Sequence, residues 1–480
     1  MDRPAGLIPL ADCAGQPVTR VGRKASVLGW ASAGGERTPG GVVVASERFW
    51  EAVSVCGATE RARYLESAAL RLDPRHVLDI AESVAGALRA PAVTALATDT
   101  AGRAFAAVGG GRVVCRSSAA MEDGRRAAFP GVFLSVLGLE TPAALATAIV
   151  ACWRSVFSAD AMRYLLRVRV EPVDLSLALM VQPQVEAAWS GVYVSHAARA
   201  DLSDAATDAV VSGRPVTVSA ARSDGRWSGL ESAPALEDSL ERVHGAAGRL
   251  ARHLGTDVDL EFAVPTGDDD RPVILQCRPL TTAARAPGRR VVGVAFDPSI
   301  DDDVGGVAVV NRLTTAGYGV AFRAAAIVME HDVSPLSHMA ILCRELGVPL
   351  VCGVAGARAL IGRRVAVDSG TREVTEVTTA AGGALPRPPP ETSAGAPMGR
   401  PDRVMPAIEL VLRVLAEARP GHPFGSEAAR IAGRCRVVPH PVAAGDLEQL
   451  ERVGVDLFGP SFRAADIFAG TAGAAPDRSP

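Results

Sequence analysis

One lysine, Lys24, stands among 50 basic residues, which leaves 49 arginines. A bias toward arginine that spares one position suggests a need for a compact ammonium on a flexible stem. Binding phosphate as a point charge is one such need. Chance survival is the plainer alternative. Lys24 lies in Val21-Gly-Arg-Lys-Ala-Ser-Val-Leu-Gly29, a small-residue turn opening a helix. A second cluster is Cys115-Arg-Ser-Ser-Ala-Ala-Met-Glu-Asp123. There Arg116 offers a bidentate fork, and hydroxyls and backbone N–H groups add donors for a polyphosphate. The same pattern also occurs as an ordinary salt-bridged turn. A third is a pair of strands, 257–264 and 272–279, joined by Thr-Gly-Asp-Asp-Asp. Glu261 and Gln276 could share one side of that hairpin, and their hard oxygens suit Mg²⁺. Arg278, two residues from Gln276, falls on the same face. The bland reading is a buried hairpin with cross-strand polar pairs. The fourth is His338, at the start of a short helix that Gly347 stops. A neutral imidazole there can act as a nucleophile toward phosphorus, near N–H groups that favour an anion. A structural hydrogen bond is the commoner use of such a histidine.

Several elements must position these groups. Strands are expected at 41–45, 112–115 and 177–182, and helices at 142–157 and 237–254. Residues 1–282 read as one mixed unit and 291–378 as a second, smaller one with Val-rich strands. Thr281–Arg290 connects them, and 379–403 is an Ala/Gly/Pro spacer with three consecutive prolines. Residues 404–470 regain a globular composition, and the last ten residues read as disordered. A chain of 480 residues with 48% hydrophobic content suits several domains, and 4% aromatics leave Val, Leu, Ala and Ile to fill the cores. The net charge of -3 gives no electrostatic reason to bind nucleic acid or a membrane. No 18-residue apolar run without charges stands out, so no membrane-spanning helix is expected. Eight cysteines without a C-x-x-C pair read as reduced core residues, and no signal peptide opens the chain, so a cytoplasmic setting is expected.

Taken together and in order, these segments resemble the pyruvate phosphate dikinase and PEP synthase group. Val21–Gly29 resembles its lysine-bearing motif, and Thr38-Pro-Gly-Gly-Val-Val-Val the run that follows it. Cys115–Asp123 matches Arg-Ser-Ser-Ala-x-x-Glu-Asp. Phe129-Pro-Gly-Val-Phe-Leu-Ser135 resembles the group's phosphate loop, with Ser135 at the usual threonine. Cys152-Trp-Arg-Ser-Val-Phe and Ser190-Gly-Val-Tyr-Val follow. Leu275-Gln-Cys-Arg-Pro279 and Ser337–Gly353 match the end of the nucleotide domain and the phosphohistidine signature. The resemblance implies a multidomain α/β and α+β fold. An ATP-grasp nucleotide-binding domain would be followed by a swivelling β/α phosphohistidine domain and a short C-terminal α/β remnant. It implies ATP binding by Lys24, Arg116, Ser135, Gln182 and Arg278, Mg²⁺ held by Glu261 and Gln276, and His338 as phosphoryl carrier. The reaction implied is ATP-dependent: AMP, phosphate and a phosphohistidine form, and the last phosphorylates a small-molecule acceptor. A non-catalytic nucleotide-binding relic, or a carrier serving a partner protein, are the alternatives.

The chain departs from the group at several points. Val333-Ser334 replaces a glycine pair before the Ser-His, Val132 and Leu134 replace polar residues of the phosphate loop, and Val210-Val-Ser-Gly213 stands for a longer Gly-rich segment. Only 102 residues follow Thr378. A (β/α)₈ acceptor barrel takes ~250 residues, so a complete one is not expected there. Residues 405–469 resemble the last units of such a barrel, with Gly425-Ser426-Glu427 where a catalytic Cys-Gly-Glu would stand. Rifampicin phosphotransferase-like enzymes share the first two domains but insert a helical substrate domain, for which Thr281–Arg290 leaves no room.

Overall fold

The computed structural model describes residues 6–377, except 125–127, 170–172, 205–215, 267–270, 281–288, 299–304, 311–314 and 335–336. The expectations for 379–403, 404–470, Val210–Gly213, most of the Thr281–Arg290 connection and the turn after Thr266 lie outside the described residues. Three sheets organise the rest. The first holds β1 (Leu7–Pro9), β2 (Val42–Val44), β3 (Val113–Ala119), β4 (Ser135–Leu139) and β5 (Leu177–Pro183) in the order β1-β2-β5-β3-β4. The second holds β6 (Ala187–Val194), β7 (Arg199–Ser203), β8 (Val218–Ser223), β9 (Arg226–Ser228), β10 (Val258–Pro265) and β11 (Val273–Pro279) in the order β11-β10-β6-β7-β8-β9. Both are antiparallel throughout.

The third sheet holds β12 (Arg290–Phe296), β13 (Val307–Val310), β14 (Ala326–Met329), β15 (Leu350–Val351), β16 (Arg364–Asp368) and β17 (Glu373–Glu376). β12 to β15 run parallel, and β16 and β17 add antiparallel edges. Every residue of β13 and β14 is buried, as expected of parallel strands covered on both faces.

Nine described helices pack on these sheets: α1 (Val18–Ala33), α2 (Ser46–Val55), α3 (Thr59–Ala68), α4 (Pro74–Ala87), α5 (Pro91–Ala107), α6 (Pro142–Ser155), α7 (Ala159–Val168), α8 (Glu237–Leu254) and α9 (His338–Leu346). Their starts are chemically marked. The side chains of Asp73, Thr141, Ser158 and Ser337 accept backbone N–H groups at the heads of α4, α6, α7 and α9. Each such cap is worth about 1 kcal/mol. Pro142–Val168 has the length and hydropathy of a membrane-crossing helix, although charged residues such as Arg154 and Asp160 interrupt it. It is α6 and α7 in succession, and Leu145, Ile149, Trp153, Met162 and Tyr164 bury their side chains in the first core.

Strand alternation assigns the cores. On β5, Leu177, Leu179 and Val181 face the helices of the first core, whereas Ala178 and Met180 face the second, where α1 and α8 pack. On β14, Ala326 and Val328 face a small core private to the third sheet. Ile327 and Met329 join the first core instead, together with Met339 and Leu342 of α9. The third sheet is therefore packed directly against the rest. The seven described cysteines are all free thiols, five of them buried.

Candidate functional site

The site begins where α1 breaks. Gly22 adopts φ 75° and ψ 164° within an otherwise helical run. A Cβ at that position would lie 1.8 Å from the carbonyl oxygen of Ser118, so only glycine lets β3 approach so closely. The break leaves backbone groups unpaired, and Ser118 satisfies two. Its hydroxyl donates to the Val21 carbonyl at 2.9 Å and accepts the Ala25 N–H at 3.0 Å. The helix thus restarts beside β3, with Lys24 in its new first turn.

Lys24 and β3 then engage one buried carboxylate. The Lys24 ammonium is 2.7 Å from Glu122 Oε1. Ser117 donates to the same oxygen at 3.1 Å, and the Ala119 N–H donates to Oε2 at 2.9 Å. Asp123, next in sequence, sits at φ 51°. Burial raises its carboxyl to about 7 against the opposing pull of Lys24 and Arg278, with Glu122 and Glu261 adding to the rise.

The hairpin β10–β11 supplies the facing wall. Glu261 pairs directly with Gln276, and Asp259 with Arg278. The alternate residues Val258, Leu260 and Phe262 turn into the second core, so the four polar side chains share the opposite face. Arg278 donates through Nε and Nη2 to Asp259 Oδ2 at 3.0 and 2.7 Å. Burial opposes the charge of Arg278, but Asp259, Asp123 and Glu261 outweigh it and push the guanidinium up. Arg116 crosses from β3 to this wall. It donates to the Leu275 carbonyl at 2.7 Å and to Gln276 Oε1 at 2.6 Å, and its Nη2 lies 3.4 Å from Glu261 Oε2. Gln276 Nε2 in turn donates to Asp123 Oδ2 at 3.1 Å.

His338, the first residue of α9, closes the cluster from the third sheet. Its Nε2 lies 4.0 Å from Glu261 Oε1. Burial pushes the imidazole well below its ordinary value, and the charges of Arg278, Lys24 and Arg116 add to the effect. A histidine so held is neutral at neutral pH. Four basic side chains thus converge on one cluster of carboxylates, an arrangement able to take up a polyanion opposite a nucleophilic nitrogen.

Lys24, Arg116, Glu261, Gln276, Arg278 and His338 are brought together. Ser135 is the cross-strand partner of Arg116 and shares its face, but it is exposed. Gln182 is buried two residues along the ladder, opposite Val114, with Nε2 donating to the Gly40 carbonyl at 2.9 Å and Oε1 lacking a hydrogen-bond partner. Two members of the cluster, Asp259 and Glu122 as the partner of Lys24, were not expected from the sequence. Asp259 was findable, since it lies two residues before Glu261 and therefore on the same strand face.

The oxygen pair Glu261–Gln276 meets a chemical test for a hard cation. Glu261 Oε1 is buried without a hydrogen-bond partner. Gln276 Oε1 and Glu261 Oε2 already face a cationic group, the Arg116 guanidinium. Among the described residues no cluster of three or more His, Cys, Asp or Glu side chains suits a metal. Two protein oxygens completed by water and phosphate are nevertheless a usual Mg²⁺ arrangement. The residues fit.

Comparison with known sequences finds two domain matches. Residues 18–221 match the pyruvate phosphate dikinase AMP/ATP-binding domain, and residues 303–372 match the mobile domain of PEP-utilising enzymes. These matches, with the likeness to PEP synthases below, support the pyruvate phosphate dikinase and PEP synthase group for this chain, a family of ATP-dependent phosphotransfer enzymes. Among individual relatives, it is 26% identical over 309 residues to a probable phosphoenolpyruvate synthase of Methanothermobacter thermautotrophicus, covering 52% of this chain and 44% of that one. It is 26% identical over 333 residues to the phosphoenolpyruvate synthase of Pyrococcus furiosus, covering 54% and 40%. An uncharacterised protein of Mycobacterium tuberculosis is 38% identical over 106 residues, covering 21% and 12%. The chain spans less than half the length of these relatives.

Proposed function

We propose that this protein is a dikinase-type phosphotransferase in which His338 carries a phosphoryl group from ATP to a separate acceptor. The observation that carries the reading is the position of His338 Nε2, 4.0 Å from Glu261 Oε1 within the charge of Lys24, Arg116 and Arg278. On this reading the first two sheets with α1 form an ATP-grasp nucleotide site, and the third sheet is the swivelling carrier.

The neutral imidazole attacks the β-phosphorus of ATP. The N–P bond forms as the bond to the α-phosphate oxygen breaks, and AMP leaves with that oxygen. Water then removes the terminal phosphate from the pyrophosphoryl-histidine. The remaining phosphoryl passes to a hydroxyl or similar oxygen of a small-molecule acceptor, and the imidazole is regenerated. Arg116, Arg278 and Lys24 hold and neutralise the polyphosphate, so positioning and charge supply most of the rate. Mg²⁺, when held by Glu261 and Gln276, would neutralise phosphate oxygens and fix the chain's geometry.

The test uses the full chain with ATP labelled in the β-phosphate, Mg²⁺ and no acceptor. Acid-labile, base-stable label on the protein, with AMP released, supports the reading. Neither product, even after addition of cell lysate to supply a partner, would overturn it in favour of a nucleotide-binding relic.

A further inference from the structure

We propose that Asp201 and Tyr164 are two docking posts that hold the helix of His338 against the nucleotide side. They act at opposite ends of α9, so they are positioning residues for the reaction proposed above. At the leading end, Ser334 is buried and its hydroxyl donates to Asp201 Oδ2 at 2.8 Å. Asp201 belongs to β7 of the second sheet, where Arg199 at 3.1 Å and Ser219 at 2.6 Å occupy its other oxygen. The Ser334 carbonyl in turn accepts the N–H of Ser337, and the Ser337 side chain caps α9. The post therefore connects through one short hydrogen-bond chain to the backbone that orients His338.

At the trailing end, Glu345 receives two donors from the first core region. The Tyr164 hydroxyl donates to Oε2 and the Ala128 N–H to Oε1, the latter at 2.9 Å. The Tyr164 oxygen also accepts the Phe129 N–H at 3.3 Å. Phe129 packs on Tyr164 with ring centroids 4.5 Å apart. A helix of nine residues rises about 13 Å, so the two posts fix both ends of a rigid rod. His338 cannot shift along or away from Glu261 unless both release. In water each partner would be solvated, so the posts bias an equilibrium without locking it.

Cys343 gives a direct readout. It is buried on α9 in the core shared with the rest of the protein, whereas Cys13 is buried in the second core. Alkylation of each thiol in the full chain, followed by mass spectrometry, reports opening of each place separately. Losing one hydrogen bond to a charged group should shift docking about tenfold or more. Ser334→Ala and Tyr164→Phe should each speed Cys343 alkylation by about that factor, with Cys13 unchanged. The two effects should multiply, because the posts sit at opposite ends of α9. Ser334→Thr, which keeps the hydroxyl, should restore the slow rate. Phosphoenzyme formation at saturating ATP should slow in the same variants while the KM for ATP stays constant. An unchanged Cys343 rate, or equal acceleration of Cys343 and Cys13, overturns the proposal. Faster Cys343 alkylation in a protein whose wild type makes no AMP upholds the posts and removes only the functional reading.

Discussion

The Lys24 ammonium and the Glu122 carboxylate meet at 2.7 Å across 98 residues of sequence, both well inside the protein. The lone lysine therefore has a resident partner as well as a place beside the candidate nucleotide site. Arginine at this position keeps the charge but replaces a compact head with a wide fork between Glu122 and Ser117. Lys24→Arg is expected to cut AMP formation by at least tenfold. Lys24→Met removes one side of a buried pair and should cost about 3 kcal/mol or more in stability. Equal AMP-formation rates for Lys24→Arg and wild type would show that the point charge alone matters.

His338→Ala should abolish labelling from β-labelled ATP and AMP release together. Nucleotide binding, measured by calorimetry, should persist because the three basic side chains remain. Loss of binding together with labelling would mean that the histidine builds the pocket.

The pH profile follows from the direction of the His338 shift. Its folded value lies below the ordinary 6.5, so the imidazole stays neutral and nucleophilic below that pH. Phosphoenzyme formation should therefore hold its rate as the pH falls through the ordinary imidazole value and decline only at lower pH. Stability runs the other way on the same group. Below about 6.5 the unfolded chain binds a proton that the folded one refuses, so acidification through that range weakens folding. A rate that halves near pH 6.5 would indicate an unshifted histidine.

Gly22→Ala is expected to destabilise the protein by more than about 2 kcal/mol, because it combines a positive φ with a clash on backbone. Gly35, also at positive φ but with nothing within 4 Å, should tolerate alanine with only the smaller conformational cost. Thermal denaturation of the two variants compares them directly. Equal shifts would mean that β3 moves to accept the new carbon.

Much of this was legible in the sequence, but not all for the same reason. The hairpin of β10 and β11 followed from alternation and turn residues, and its register put Glu261 opposite Gln276 as expected. Helix α8 runs from Glu237 to Leu254 as its periodicity indicated, and α9 starts after Ser337 and stops at Gly347. These are local signals. The break in α1 was not legible, since Gly22 reads as a turn before a helix and its cause, Ser118, lies in a distant strand. Nor was the seat of Ser334, whose partner Asp201 is 133 residues earlier. Pairings of that kind are decided by packing between sheets, and no periodicity of either segment announces them.

The division of β13 and β14 between two cores has a further consequence. Val307, Val309, Ala326, Val328, Val365 and Val367 form a core that needs nothing from the first two sheets. Were the third sheet to detach, it would keep that interior and its shape. What it would bare is the opposite layer of Val310, Ile327, Met329 and Leu342. A released third sheet would thus keep its interior yet be sticky, and its free lifetime would be set by how soon another apolar surface covers that layer.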